Sequence, residues 1–211
     1  MPILLRQEIY LIRIPLVYGS PKIEILPLVN GLTPAMARSL SRGELDEIQR
    51  YFAEGYGLTY EFEDLRSQQD GQPRNCVPRG DNPFLPSALR DKATASDCLE
   101  GAVDTNGAVF HSQQLAEKML KAVIFSSVGL NEQDIRKKYS HRVSDVYKDV
   151  ASSNTPPAEV VSAVQEIAKY KMDIRYEPEH IAKSEAVGAF WSGLRVGGWC
   201  ATLLSGHDRR V

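Results

Sequence analysis

The feature that most constrains the fold is a series of four amphipathic segments that follow Gly107. The first runs from about Ala108 to Val128, and Gly129 is suited to end it. The second, from about Ser140 to Val150, repeats its apolar residues at the i, i+3, i+4, i+7 spacing of one helical face. The third follows the break SSNTPP, and the fourth begins around Pro178. Because short connections join these segments, their apolar stripes can be buried only against one another, which predicts an antiparallel helical bundle.

The N-terminal half is predicted to be an α+β extension of this bundle. The run IYLIRIPLV (9–17) has the composition of a strand, and PKIEILPLV (21–29) is its expected hairpin partner across a Gly-Ser-Pro turn. Thr33 and Pro34 are typical of a helix start. Ser41 and Glu44 form a capping box before a helix that is expected to end at Gly55, ahead of a short strand LTYEF.

The domain organisation follows from these patterns. Between Arg66 and Gly107 the chain loses periodicity and is rich in prolines and glycines, which predicts a loop or linker. We therefore expect an N-terminal extension over 1–65, a linker over 66–107 and a bundle over 108–205. The expected fold class is mostly α, a four- to five-helix up-and-down bundle with an N-terminal α+β extension.

Composition excludes several classes of protein. The net charge of -2 leaves no global basic field, so an RNA contact would need a local cluster. The three cysteines are scattered without a C-x-x-C pair, and no His/Cys cluster has ligand spacing, which predicts neither a metal nor another cofactor. Charged residues interrupt the apolar N-terminus, so we expect no signal peptide, no membrane association and a cytoplasmic protein.

The octapeptide DIRYEPEH places Arg175 five residues before His180. An arginine can hold phosphate oxygens in a fork, and a neutral histidine can take the proton of a ribose 2′-hydroxyl, so this pair suits phosphodiester cleavage without a metal. Pro178 disfavours helix at the preceding residue and predicts that His180 lies in the first turn of the last helix. Under the alternative interpretation, Arg175 braces the bundle and His180 is solvated.

The most basic stretch of the chain is RKKYSHR. A nucleotide- or RNA-binding role is the first interpretation of its residues Lys137, Lys138, His141 and Arg142. The alternative is a solvated helix entry in which His141 makes a structural hydrogen bond.

Two other pairs of residues on the predicted helices are given structural roles. Lys118 and Lys121 are expected on the solvent-facing side of the first bundle helix, with a nucleotide contact as the alternative. Trp191 and Trp199 are expected in the core.

Three motifs in sequence order resemble a known family. FHSQQLAEKMLKAVIFSSVG contains a His lead-in, a Gln-Gln pair, then A-E-K and K-A. His141 opens the next helix, and DIRYEP is similar to an R-Y-P element with Glu177 inserted. In this order they resemble the HEPN domains, the higher eukaryote and prokaryote nucleotide-binding helical bundles, over about Ala108 to Trp199.

The resemblance implies a helical bundle that commonly forms a homodimer. Some HEPN proteins are metal-independent ribonucleases with an R-x(4–6)-H motif, which Arg175 and His180 satisfy by count. Other members bind nucleotides or partners beside a nucleotidyltransferase, whose paired aspartates the N-terminal half lacks. Three hypotheses follow: a module that binds a nucleotide, RNA or a protein partner such as an antitoxin; a metal-independent endoribonuclease of toxin or defence type; or a purely structural dimerisation bundle.

Overall fold

A small antiparallel sheet opens the chain. The computed structural model describes residues 1–17, 22–69, 82–101, 103–128, 130–171, 173–176 and 180–206, with side chains for all of these except 66–69. Its strands are β1 (Pro2–Leu5), β2 (Glu8–Ile12) and β3 (Val29–Asn30), in that order across the sheet.

The hairpin of this sheet differs from the predicted one. Strand β2 pairs with β1 through a tight turn at Arg6 and Gln7, which both have positive φ. Strand β2 also pairs with the short strand β3, which lies at the end of the 21–29 segment. A turn of this kind matches the twist of the flanking strands, so the nearer partner forms the hairpin. The predicted Gly-Ser-Pro turn lies outside the described residues.

The predicted start signals for the first two helices are confirmed. The Thr33 hydroxyl accepts a hydrogen bond from Met36 N at 3.2 Å, at the start of α1 (Pro34–Arg38). Ahead of α2 (Arg42–Gln69), Ser41 N donates to Glu44 Oε2 at 2.6 Å and Glu44 N donates to the Ser41 hydroxyl at 3.3 Å. This is the reciprocal pair of a capping box.

The predicted end of the second helix at Gly55 is wrong. Helix α2 continues through Gly55 and through the segment LTYEF, where Leu58 and Phe62 are buried one helical turn apart. A Cβ atom on residue 55 would lie 2.8 Å from Met1 Sδ and 3.2 Å from the Trp191 ring. The glycine therefore permits close packing against the sheet and the last helix.

A further helix, α3 (Leu85–Asp97), lies inside the segment expected to be a linker. Its buried residues Leu85, Ala88 and Ala95 pack towards the next helix, with Asp91 on the same face. Pro86 in the first turn is compatible with a helix start, although it contributed to the loop prediction. The small residues on this face made the apolar pattern too weak to predict.

The helical bundle of the C-terminal half is confirmed. It comprises α4 (Thr105–Val128), α5 (Glu132–Tyr139), α6 (Val143–Ser153), α7 (Ala158–Ala168) and α8 (Lys183–Ser205). The predicted series lacks α5, a short helix capped by Asn131, whose side chain accepts from Asp134 N at 2.9 Å. The last helix begins at Lys183 and not around Pro178.

Helix α8 is the centre of the core. Most of its residues from Ala186 onwards are buried, between α4 and α7 of the bundle and α2 and β1 of the extension. As predicted, Trp191 and Trp199 are buried, and Trp191 Nε1 donates to the Pro2 carbonyl at 2.8 Å. The extension and the bundle therefore share one hydrophobic core. None of the described helices combines the length and apolar character that crossing a bilayer requires.

Helices α4 and α8 run side by side in the same direction. A Cβ atom on Gly193 would lie 2.8 Å from the Ser112 carbonyl oxygen, and one on Gly197 would lie 3.7 Å from Leu115 Cδ1 and 2.7 Å from Phe62 Cζ on α2. Gly193 therefore lets α8 approach α4, which carries the candidate site, and Gly197 lets α8 approach α2.

Candidate functional site

Within residues 105–124, helix α4 has one strip of side chains that reaches solvent. Every residue of this range is buried except Phe110, His111 and Lys118. These three side chains lie within about 100° of one another round the helix axis, so they mark one side of α4. The candidate site lies on this side.

A pocket of about 270 Å³ lies beside the C-terminal part of this strip. Helix α4 forms its floor, and the start of α3, helix α5 and the turn between α5 and α6 form its walls. The lining residues combine one aromatic ring with amide, carboxylate and basic groups: Phe84, Gln114, Glu117, Lys118, Lys121, Arg136, Ser140 and His141.

The carboxylate of Glu117 organises this pocket. Lys121 Nζ donates to its Oε1 at 2.6 Å, while Gln114 Nε2 donates to Oε2 at 3.3 Å. His141 Nδ1 also lies 3.3 Å from Oε2. The side chains of Glu117 and Lys121 are only 3% and 4% exposed, so each charge depends on the other and on these hydrogen bonds. With Nδ1 directed at a carboxylate, His141 keeps Nε2 for a ligand.

The backbone before His141 is held in an unusual conformation. Ser140 has φ 47° and ψ −124°, a combination that a non-glycine residue rarely adopts. Lys121 Nζ donates to the Ser140 carbonyl, which anchors this turn to α4. A residue remains in such a conformation only when its surroundings impose it. The turn thereby directs His141 towards Glu117.

A second ion cluster lies beside the pocket. Asp91 on α3 accepts from Lys118 Nζ at 2.5 Å through Oδ2, and its Oδ1 lies 2.9 Å from His111 Nδ1. The expectation that Lys118 and Lys121 face solvent is therefore wrong for Lys121, whereas Lys118 reaches solvent in part. Lys121 is buried and Lys118 is only 23% exposed, because the carboxylates of Glu117 and Asp91 compensate their charges.

The basic stretch does not converge on one site. Of its four predicted binding residues, His141 lines the pocket, whereas Lys137, Lys138 and Arg142 are exposed outside it. Lys138 pairs with Asp149 at 2.8 Å, and this contact raises the pKa of Lys138. Arg142 pairs with Asp145, and Lys137 makes no ion pair within the described part of the chain.

Arg175 lies at the opposite end of the α4 strip. It belongs to a 3₁₀ turn, Ile174–Tyr176, that packs on α4. Its guanidinium carbon is 4.6 Å from the centroid of the Phe110 ring and 4.5 Å from that of Tyr176, and Nη2 donates to the Tyr176 hydroxyl. Arg175 is exposed and makes no ion pair with any described residue.

His180 is exposed and precedes α8, whose N-cap is Ala182. The prediction that it lies in the first helical turn is therefore wrong; Glu177 and Pro178, on which that prediction depended, lie outside the described residues. The next residue, Ile181, donates its backbone N–H to Asn106 Oδ1 at 3.0 Å. Asn106 and Phe110 are one helical turn apart on α4, so both His180 and Arg175 lie near the N-terminal end of this helix.

Of the eight residues that line the pocket, only His141 was predicted as a site residue. Gln114 and Glu117 belong to motifs that carried the family resemblance, and Phe84 lies in the segment expected to be a linker. One signal could have indicated the site: Glu117 precedes Lys121 by four residues, which is the spacing of an ion pair on a helix. Among the residues that the structure describes, no cluster of three or more His, Cys, Asp or Glu side chains could hold a metal ion.

Comparison with known proteins identifies one similarity. A family model described as the HEPN domain matches residues 84–190, half of the chain. The match begins at Phe84, so it includes α3 and every residue that lines the pocket. No curated protein and no solved structure matches the chain.

Proposed function

The chain belongs to the HEPN domain family, and from this premise we propose that it is a binding module for a nucleotide or for RNA, with a ligand phosphate in the pocket beside His141. The observation that carries the proposal is the convergence of His141, Lys118, Lys121 and Arg136 on one pocket.

The chemistry of the pocket suits a phosphate ester. Lys121 and Lys118 are each held by a carboxylate, so they supply fixed N–H donors and not mobile charges. Arg136 is more exposed, and its guanidinium lies 5.3 Å from the centroid of the Phe84 ring, which gives one side of the pocket a flat, partly apolar wall. The volume of about 270 Å³ is near the lower end for ligand sites, as expected for a small ligand or one unit of a larger ligand.

Binding of adenosine monophosphate tests this proposal by isothermal titration calorimetry. With Nδ1–H donated to Glu117, His141 has a second N–H for the phosphate, on Nε2, only in its imidazolium form. His141→Ala removes this charged donor, and a hydrogen bond to a charged group contributes about 1.5–3 kcal/mol, so we expect affinity to fall about 10- to 100-fold. Lys137→Ala is the matched control, because Lys137 is exposed, unpaired within the described chain and outside the pocket. Its affinity should stay within about threefold of the parent.

Two outcomes would contradict the proposal. Equal losses in the two variants would mean that the ligand responds only to overall charge. An unchanged affinity in His141→Ala would remove the pocket as the phosphate site.

A second candidate function is metal-independent endoribonuclease activity, of toxin or defence type. The observation that favours it is the position of Arg175 and His180, both exposed near the N-terminal end of α4. In this hypothesis Arg175 binds the scissile phosphate and His180 is the general base. A homodimer would bring two such pairs into one cleft, and light scattering would measure the oligomeric state.

The nuclease hypothesis is tested by RNA cleavage in the presence of EDTA. We expect His180→Ala to lower the cleavage rate about 10²- to 10⁴-fold, the contribution typical of a general base. Lys171→Ala, an exposed residue of the same connection, is the control and should cleave like the parent. Activity that His180→Ala leaves unchanged would eliminate the hypothesis. If the chain neither binds nor cleaves, the structural dimerisation hypothesis remains.

A further inference from the structure

The protonation state of His141 decides which groups the pocket can bind. The Lys121 ammonium and the Gln114 amide nitrogen can only donate hydrogen bonds, and they contact the two carboxylate oxygens of Glu117, which therefore accept. His141 directs Nδ1 at the same carboxylate, 3.3 Å from Oε2, so Nδ1 carries a proton. Because a neutral imidazole has one N–H, Nε2 is then an unprotonated acceptor unless the ring takes up a second proton.

The turn that carries His141 fixes the direction of its ring. The Arg142 N–H donates to the Tyr139 carbonyl at 3.1 Å, so Ser140 and His141 are the central residues of a β-turn. Lys121, which pairs with the carboxylate, also donates through Nζ to the Ser140 carbonyl. One buried ammonium therefore holds both the turn and the carboxylate, while the His141 side chain is 62% exposed and can exchange a proton with solvent.

The permanent charges that line or adjoin the pocket are balanced. Each basic side chain there is paired with a carboxylate, as Lys118–Asp91 and Lys121–Glu117 from α4, Arg136–Glu132 on α5, and Arg142–Asp145 at the start of α6. The remaining wall, at the start of α3, is the apolar ring of Phe84. Behind Lys118, Asp91 also contacts His111, which does not line the pocket. A proton on His141 therefore adds a positive charge that these ion pairs do not already neutralise.

We infer that the pocket binds its anionic ligand together with a proton, which is taken from solvent by Nε2 of His141. The inference rests on the proposed binding function and adds its regulation by pH. A phosphate dianion offers only lone pairs, as does Nε2 of the neutral ring, so the two repel, whereas the imidazolium presents a charged N–H donor. The bound anion in turn favours the charged ring. Because histidine changes its charge between about pH 5 and 8, affinity falls as the pH rises through this range.

The test is calorimetric binding of adenosine monophosphate at pH 6.5, 7.5 and 8.5, where the phosphate of the ligand is mainly a dianion. A hydrogen bond to a charged group changes affinity about 10- to 100-fold, which bounds the difference between the two forms of the ring. We therefore expect the affinity of the parent to fall about 5- to 25-fold from pH 6.5 to 8.5. At pH 7.5, titrations in buffers of different ionisation enthalpy should show uptake of about 0.4–0.8 proton per ligand bound.

Two histidine variants assign the proton. His141→Gln provides a neutral amide donor at an exposed position, so it should bind weakly, with the same affinity at pH 6.5 and 8.5 and no proton uptake. His111→Gln keeps a donor towards Asp91 outside the pocket lining and should retain the pH dependence of the parent. Circular dichroism at both pH values checks that each variant is folded, and the proton uptake of the parent is measured without either of them.

The outcomes separate the two proposals. If the parent does not bind adenosine monophosphate at pH 6.5, the proposed pocket is wrong, and the coupling to a proton is wrong with it. If the parent binds with the same affinity at all three pH values and without proton uptake, only the coupling is wrong. Proton uptake that persists in His141→Gln, or that disappears in His111→Gln, would assign the proton to another group and would also overturn the inference.

Discussion

The crossing of α4 and α8 predicts a large difference between two glycine substitutions on one helix. In Gly193→Ala the new Cβ would lie 2.8 Å from the carbonyl oxygen of Ser112 and 3.3 Å from its Cα. Both atoms belong to the backbone of α4, so no side-chain rotation can relieve the contact and the helices must separate. In Gly188→Ala the new Cβ meets nothing within 4 Å.

The magnitude follows from two opposing effects. Alanine is more favourable than glycine inside a helix by about 1 kcal/mol, which applies to both variants. Overpacking a close contact costs about 1–3 kcal/mol, which applies to Gly193→Ala alone. We therefore expect Gly188→Ala to raise the free energy of unfolding by up to about 1 kcal/mol and Gly193→Ala to lower it by about 0–2 kcal/mol.

Urea denaturation followed by circular dichroism measures this difference. The two variants should differ by about 1–3 kcal/mol, and each kcal/mol corresponds to about 2–4 °C in Tm for a chain of this size. Because α4 carries the pocket, Gly193→Ala should also weaken binding of adenosine monophosphate. If Gly193→Ala were as stable as Gly188→Ala, the close approach of the two helices would be refuted.

Two further predictions concern charged residues. Lys121→Met leaves the buried Glu117 carboxylate without its ammonium partner and should lower the free energy of unfolding by about 3–5 kcal/mol in urea denaturation. Lys137→Met, at an exposed position, should change it by less than about 0.5 kcal/mol. Similar effects of the two substitutions would contradict the burial of the Lys121–Glu117 pair. The Arg6 side chain lowers the pKa of Glu44 from 4.5 to about 2, so its stabilisation is present above about pH 4.5 and is lost as the pH falls towards 2. Glu44→Gln should therefore lower Tm at pH 7 by more than at pH 3, and a difference independent of pH would show that the ion pair does not form.

The helix starts were predictable because their signals act over a few residues. Ser41 and Glu44 satisfy each other's backbone groups within one turn, so the pattern S-x-x-E is sufficient to predict the cap. The bundle was predictable for a related reason, since apolar residues at helical spacing must be buried against a neighbour. The capping box and the apolar spacing both reflect the geometry of a single helix, so both are visible in the sequence.

Helix ends and the linker were less predictable because glycine and proline have more than one use. Glycine is typical of a helix end, yet Gly55 lies inside α2, where Met1 and Trp191 pack against it. Pro86 suggested a loop, yet it lies in the first turn of α3. Which use applies is decided by what lies opposite the residue, and that partner is distant in sequence.

By itself, the sequence determined the class of fold and the family, and it indicated Arg175 and His141 as candidate site residues. Only the tertiary structure decided that Lys121 is buried, that Glu117 holds His141, and that Arg175 lies at the other end of the same helix strip. The physical reason is that periodicity and caps arise between neighbours in the chain, whereas a charge can be buried only where another element brings compensating groups to it.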